Sequence, residues 1–266
     1  LSSLPAKHCP GDIGLLANIF PESYRAIMSN DTSPTHSGSA PAGTPPRRGI
    51  LYVKWGTNGA VSERSIRSVR AIHPELPVHV RSLPAGSSLL DKASMFEFSP
   101  FEETLFLDAD TVVLDRLDFG FEMAVRHGLA CCICECPWAR RYGGIRGDMV
   151  EYNTGVLFFT RKAKPVFDAW KARARTVDSS IRFFRDRNEL AVMPFNDQAA
   201  FALAVAENAA PFILPMNWNF RPQWHRSWWG PVKIWHDYVD PPAEMVAWTK
   251  EQAREDAIIR YNSFAG

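Results

Sequence analysis

Thr104-Leu105-Phe106-Leu107-Asp108-Ala109-Asp110 is the stretch on which the fold turns. Its first four side chains are β-branched or apolar without interruption, the pattern of a central strand buried on both faces. They run directly into two carboxylates that flank Ala109, and a second apolar piece, Val112 to Leu114, follows at once. In open α/β sheets, ligands bind beyond the carboxyl ends of the strands. The position of the acidic pair is therefore more informative than the pair itself.

Working outward, Ile50 to Val53 reads as a strand, and Val61 to Ile72 sets Ile66, Val69 and Ile72 near one helical face. Val78 to Val80 is short and β-rich, which completes a strand, helix, strand opening of a doubly wound α/β sheet. Further strands are expected at Leu129 to Cys134, Val156 to Phe159, Phe212 to Leu214 and Val232 to Trp235. Helices are expected at Arg161 to Val177, Asp197 to Ala206 and, after Pro241-Pro242, Ala243 to Tyr261. Residues 31 to 48 are rich in Ser, Thr, Pro and Gly, the composition of a linker or surface loop. Residues 1–48 are thus expected to be an arm and linker, with one main domain over 49–266.

The 30 basic and 29 acidic side chains leave a net charge of +1, which argues against nucleic acid or an anionic membrane as the main partner. No apolar run reaches the roughly 18 residues that span a bilayer. Four of the five cysteines crowd into Cys131-Cys132-Ile133-Cys134-Glu135-Cys136, where neighbours on an extended strand do not meet disulfide geometry. They read as buried strand thiols rather than a soft-metal site, which favours a reducing, cytoplasmic compartment. The chain begins at Leu1, and removal of an upstream anchor would leave a Golgi or other secretory lumen open.

Asp108 and Asp110 bring two carboxylates to one point, where hard cations such as Mg²⁺ or Mn²⁺ take oxygen ligands; the bland reading is a solvated acidic turn. His236 ends another short strand and offers a nitrogen ligand, although a lone histidine there is more often structural. Asn153 precedes the strand at Val156 with an amide that both donates and accepts, and Gly155 permits a close approach to backbone. Asn196 suits a helix cap, and Asp197-Gln198 stands at the same helix start.

Phe106-Leu107-Asp108-Ala109-Asp110, Asn153-Thr154-Gly155, Asp197-Gln198, Trp218-Asn219 and His236 occur in the order and approximate spacing of the GT-A glycosyltransferases. The chain resembles in particular family 8, the group of glycogenin and the bacterial galactosyltransferases, over roughly Gly49 to Tyr238. The resemblance implies a GT-A type, Rossmann-like mixed sheet flanked by helices in a single domain. It also implies a nucleotide-diphosphate sugar, usually a UDP-sugar, with Mn²⁺ (or Mg²⁺) bridging its phosphates, and an acceptor that the sequence does not identify. Asp108, Asp110 and His236 fall at the metal ligands. Lys54, Trp55 and Gly56 fall where base and ribose are received, and Lys92 in a donor-contacting segment. Asn153, Asp197 and Gln198 match positions that touch the transferred sugar, while Trp218, Asn219 and Arg221 fall on the acceptor side. The resemblance further implies transfer with retention of configuration.

The family's Gly-x-x-Lys-Pro-Trp after the histidine is missing, and His236 runs instead into Asp237-Tyr238-Val239-Asp240-Pro241-Pro242. Lys233, Lys92 or an arginine would then supply the charge that meets the diphosphate. Two other readings fit the acidic triplet. Asp108-Ala109-Asp110-Thr111-Val112 has the Asp-x-Asp-x-Thr form of haloacid-dehalogenase-type phosphatases, although a strand, helix, strand unit precedes it here. A transferase-like fold can also bind carbohydrate or nucleotide without turnover.

Overall fold

Period-2 burial organises the molecule. In β1 (Arg48–Lys54), Ile50 and Tyr52 face one side of the sheet while Leu51 and Val53 face the other, and all four are buried. A computed structural model describes residues 46–56, 59–135, 148–178, 181–184, 190–193, 196–225, 227–252 and 261–263. The expected N-terminal arm and nearly all of the linker lie outside these residues.

After β1 come α1 (Gly59–Ile72), β2 (Val78–Ser82), a 3₁₀ turn at Leu89–Ser94 and the short α2 (Met95–Phe98). The central strand β3 (Glu103–Leu107) leads through the acidic turn to β4 (Thr111–Val113), α3 (Asp118–His127) and β5 (Leu129–Ile133). The chain continues with β6 (Tyr152–Thr160), α4 (Lys164–Arg173), a hairpin of β7 (Ile181–Phe184) and β8 (Leu190–Met193), and α5 (Gln198–Asn208). It ends with β9 (Phe212–Ile213), β10 (Ser227–Trp229), β11 (Ile234–His236), α6 (Ala243–Gln252) and β12 (Tyr261–Ser263).

Six strands form one mixed sheet in the order β2-β1-β3-β6-β5-β9. On one face, Leu51, Phe106, Leu157 and Phe159 pack against Phe167 and Trp170 of α4 and Phe201 of α5. On the other, Ile50, Leu105, Leu107 and Phe158 pack against Ile66 and Val69 of α1 and Phe121 of α3. Helices on both faces explain why the central strands are continuously apolar. This is the expected mixed α/β fold, a single sheet flanked by helices. None of its described helices is long and apolar enough to cross a membrane.

Strand direction then assembles the site. β3 runs parallel to β1, but β6 runs antiparallel to both β3 and β5. The carboxyl end of β3 therefore meets the amino end of β6, and Asp108 N–H donates to the Gly155 carbonyl at 2.8 Å. Outside the sheet, β11 pairs antiparallel with β4, setting His236 opposite Thr111.

Several boundaries differ from expectation. The helix expected from Arg161 begins as a 3₁₀ turn and becomes α-helical at Lys164, with Pro165 in its first turn, where its missing N–H is harmless. The last helix was expected to reach Tyr261; instead Tyr261–Ser263 forms a strand paired with β10, so long-range pairing overrides local helical pattern there. The helix Asp118–His127 was not anticipated, because its burial is spread over Gly120, Phe121, Met123 and Ala124 rather than a clean apolar stripe. Cys131, Cys132 and Cys134 are buried free thiols as expected, and Cys136 lies outside the described residues. Burial pushes the Cys131 and Cys132 thiols up, so they are inert.

Candidate metal and sugar site

Three ligand groups converge at the carboxyl edge. One carboxylate oxygen each from Asp108 and Asp110 and one ring nitrogen of His236 lie within 4.8 Å of one another. His236 Nε2 stands 3.2 Å from Asp110 Oδ1. Two carboxylates and an imidazole suit Mn²⁺ or Mg²⁺ better than a soft metal. Burial pushes the Asp108 carboxyl above the usual carboxylate range, against the pull of Lys92. Burial also acts to raise Asp110, but the hydrogen bond and charge of His236 outweigh it and hold that carboxyl below its ordinary value.

A row of amides fixes the histidine. Gly155 N–H donates to Asn153 Oδ1 at 3.0 Å, which makes that oxygen the acceptor and leaves Asn153 Nδ2 to donate to Gln198 Oε1 at 3.0 Å. Asn219 Nδ2 also donates to Asn153 Oδ1, at 2.8 Å, so Asn219 Oδ1 is turned to His236 Nδ1 at 2.7 Å. The backbone donor at Gly155 thus sets the polarity of the whole row. Asn219 Oδ1 thus keeps a proton on Nδ1, so the nitrogen that would exchange its bond to Asp110 for a metal is Nε2, the orientation a metal-ligating imidazole needs.

Lys92 is the second organiser. It is 2 % exposed, and its ammonium lies 2.9 Å from Asp108 Oδ1 and 3.3 Å from Asp197 Oδ2. Burial would lower its pKa, but the charges of Asp108 and Asp197 outweigh this and keep it protonated. Asp197 Oδ2 also accepts from Thr154 Oγ1 at 2.6 Å. The helix cap is Asn196, whose Oδ1 accepts from Gln198 N–H at 3.0 Å and Ala199 N–H at 3.4 Å, as the sequence suggested. Asp197 is thereby left for the site rather than for the helix.

The fold therefore brings together Asp108, Asp110, His236, Lys92, Asn153, Asp197 and Gln198. Ala109 occupies the turn between the two carboxylates. Lys54 ends β1, and Trp55 and Gly56 follow it at the same edge; Trp55 is partly buried against the core, and Gly56 is exposed with φ of 65°. The residues expected on the acceptor side are buried in this structure. Trp218 is buried, packed tilted against Phe119 and edge-on to Phe158, which leaves its indole no face for a ligand. Asn219 is 1 % exposed and spends both polar atoms on His236 and Asn153. Arg221 is also largely buried, donating to Glu135 Oε2 at 3.1 Å, with its guanidinium over the half-exposed Trp224.

Sequence reasoning passed over Glu151, Thr154 and Glu135. Gln198 Nε2 lies 3.5 Å from Glu151 Oε1, and Glu135 binds both Arg221 and His225. Glu135 follows β5 as Asp108 follows β3, and that strand-end position was the available signal.

No protein-family model matches the chain, and no curated protein matches its sequence. Among solved structures, it is similar to the galactosyltransferase LgtC in complex with donor and acceptor sugar analogs. The identity is 16%, the TM-score 0.49, and the match covers 77% of this chain and 94% of that one. It is also similar to the apo form of the glycosyltransferase GlyE of Streptococcus pneumoniae TIGR4, at 14% identity and TM-score 0.47 over 73% of this chain and 55% of that one. A third is a glycosyltransferase involved in glycosylation of the major capsid of PBCV-1, at 13% identity and TM-score 0.43 over 77% of this chain and 100% of that one. With every TM-score below 0.5, the functional reading rests on the residues themselves.

Proposed function

We propose that this protein is a metal-dependent glycosyltransferase of GT-A type that moves a sugar from a nucleotide-diphosphate donor, a UDP-sugar, to an acceptor hydroxyl with retention. The observation that carries this reading is the convergence of Asp108, Asp110 and His236 beside the buried polar row of Asn153, Asp197 and Gln198. A Mn²⁺ or Mg²⁺ held by the first three would supply Lewis-acid stabilisation of the charge that gathers on the leaving diphosphate. Lys54, Trp55 and Gly56 would receive base and ribose. Lys92 would align the Asp108 and Asp197 carboxylates rather than bind phosphate alone.

In this reading Asp197, held by Lys92 and the Thr154 hydroxyl, faces the positive charge that develops at the anomeric carbon, and the Gln198 and Asn153 amides orient the sugar hydroxyls. In front-face attack, the leaving phosphate oxygen accepts the acceptor's proton, so the chain need not supply a general base. Arg221 is kept as an acceptor contact, and Trp224 replaces Trp218 as its aromatic face. The buried free thiols support a reducing compartment.

The test is release of nucleoside diphosphate from a panel of nucleotide sugars, with Mn²⁺ or with chelator, by wild type and Asp110→Ala. Mn²⁺-dependent release from one donor, lost in the variant, is the expected result. Binding without release would leave a non-catalytic protein, and release of phosphate from aryl phosphates instead would establish the phosphatase.

A further inference from the structure

We infer that Arg64 is a positioning residue for the cation site, fastening the turn that carries Asp110 to the loop that follows His236. The inference rests on the reading of Asp108, Asp110 and His236 as metal ligands. It concerns a side chain that touches none of their ligand atoms.

Asp110 and His236 sit at the end of a two-stranded ribbon outside the main sheet. The β4–β11 ladder has its last paired residues at Thr111 and His236. Beyond it, one backbone bond continues the pairing, from Asp237 N–H to the Asp110 carbonyl at 3.0 Å. Short ribbons of this kind are marginal on their own, and strand ends open readily. His236 N–H donates to the Phe220 carbonyl at 2.8 Å and Thr111 Oγ1 meets Ser65 Oγ at 2.9 Å, which hold the last ladder pair. A metal site needs its ligands held to about 0.5 Å, so the turn and loop beyond that pair need a fastening of their own.

Arg64 supplies it from α1, whose neighbouring Ile66 and Val69 are anchored in the core. Its Nη2 donates to the Asp110 carbonyl at 3.3 Å and to the Asp237 carbonyl. Its Nη1 donates to the Tyr238 carbonyl at 2.7 Å and to Asp240 Oδ1 at 3.1 Å. One guanidinium thus holds the backbone beside both ligands, and does so with charge-assisted bonds. The planar fork matters, because a lysine ammonium on a shorter reach cannot serve the two directions together. The Asp240 contact is secondary, since that side chain is 80% exposed and such pairs contribute little. On the other side of the loop, Trp235 Nε1 donates to the Val239 carbonyl at 2.7 Å. The segment pinned in this way is Asp237 to Asp240, where the chain lacks the Gly-x-x-Lys-Pro-Trp of its resemblance.

The experiment is a Mn²⁺ titration of the full chain, following free Mn²⁺ by electron paramagnetic resonance, for wild type, Arg64→Lys, Arg64→Ala and Asp240→Ala. Thermal unfolding of each in chelator reports the metal-free fold. Loss of an outer partner at a metal site typically weakens affinity by about 10- to 100-fold. Arg64→Lys is expected to weaken Mn²⁺ binding about tenfold with an unchanged metal-free unfolding temperature, while Asp240→Ala binds as wild type. Methylguanidinium added to Arg64→Ala is expected to restore affinity, a rescue that a general folding role would not show; if that variant fails to fold, Arg64→Lys decides alone. Wild-type affinity in Arg64→Lys, or a loss of metal-free stability with affinity intact, overturns the assignment. Absence of Mn²⁺ binding by the wild type would instead overturn the metal site itself and this assignment with it.

Discussion

At Gly155 the site leaves no room for a side chain. A β-carbon there would stand 2.4 Å from His236 Cε1 and 2.7 Å from Asp108 Oδ2. The sequence suggested a glycine that lets a ligand approach; in the fold it lets two metal ligands approach each other across the start of β6. Gly155→Ala should push His236 away from Asp108, because neither a ring carbon nor a hydrogen-bonded carboxylate yields so far without losing its partners. The expected result is Mn²⁺ affinity reduced at least about tenfold, as for damaged outer-shell geometry, with circular dichroism unchanged. Wild-type affinity in that variant would show the ligands to be far more mobile than the Asn219 and Asn153 bonds imply.

Between elements, the joint of α4 with α5 carries information from core to site. Trp170 is fully buried, lies 4.8 Å from the Phe201 ring centroid, and donates from Nε1 to the Asp197 carbonyl at 3.0 Å. Trp170→Phe removes that donor and leaves a small void, for an expected loss of about 2 kcal/mol in denaturant unfolding. Under the proposed function it should also lower turnover, since the Asp197 backbone is freed; an unchanged unfolding midpoint would contradict this account of the joint. This helix face was legible in the sequence, because Phe167 and Trp170 recur at helical spacing. So was the strand before Asp108, whose apolar run reflects burial on both faces. The burial of Trp218 and Asn219 was not legible, because neighbours in sequence do not reveal partners brought in by β6 and β11. Glu135 was hidden for a related reason: its partners Arg221 and His225 lie far along the chain, and its immediate neighbours are strand cysteines. The ends of weakly periodic helices were equally hidden, and Tyr261 pairs with Trp229 although its local sequence is helical.

For the molecule as a whole, metal binding at the proposed site would be linked to folding stability. A ligand that binds only the native state at about 100 times its dissociation constant adds about 2.7 kcal/mol. In a domain of this size that corresponds to a rise in unfolding temperature of about 5–10 °C. The rise should vanish in Asp110→Ala. Its pH dependence follows from Asp108, whose carboxyl is pushed above the usual carboxylate range by burial. A raised pKa means that the proton is retained to higher pH, and the protonated acid is a poor ligand, so proton and metal compete. Acidification therefore removes the Mn²⁺-induced rise well above about pH 4, where an ordinary aspartate would still be ionised in part. Asp110 acts in the other direction, since its lowered pKa keeps it ionised further into acid. The titration of the increment thus reports on Asp108 together with His236, whose ring nitrogen must also be free of its proton to hold a metal. Thermal unfolding with and without Mn²⁺ across a pH series checks this: a metal increment that held steady down to pH about 4 would mean that Asp108 is not a ligand.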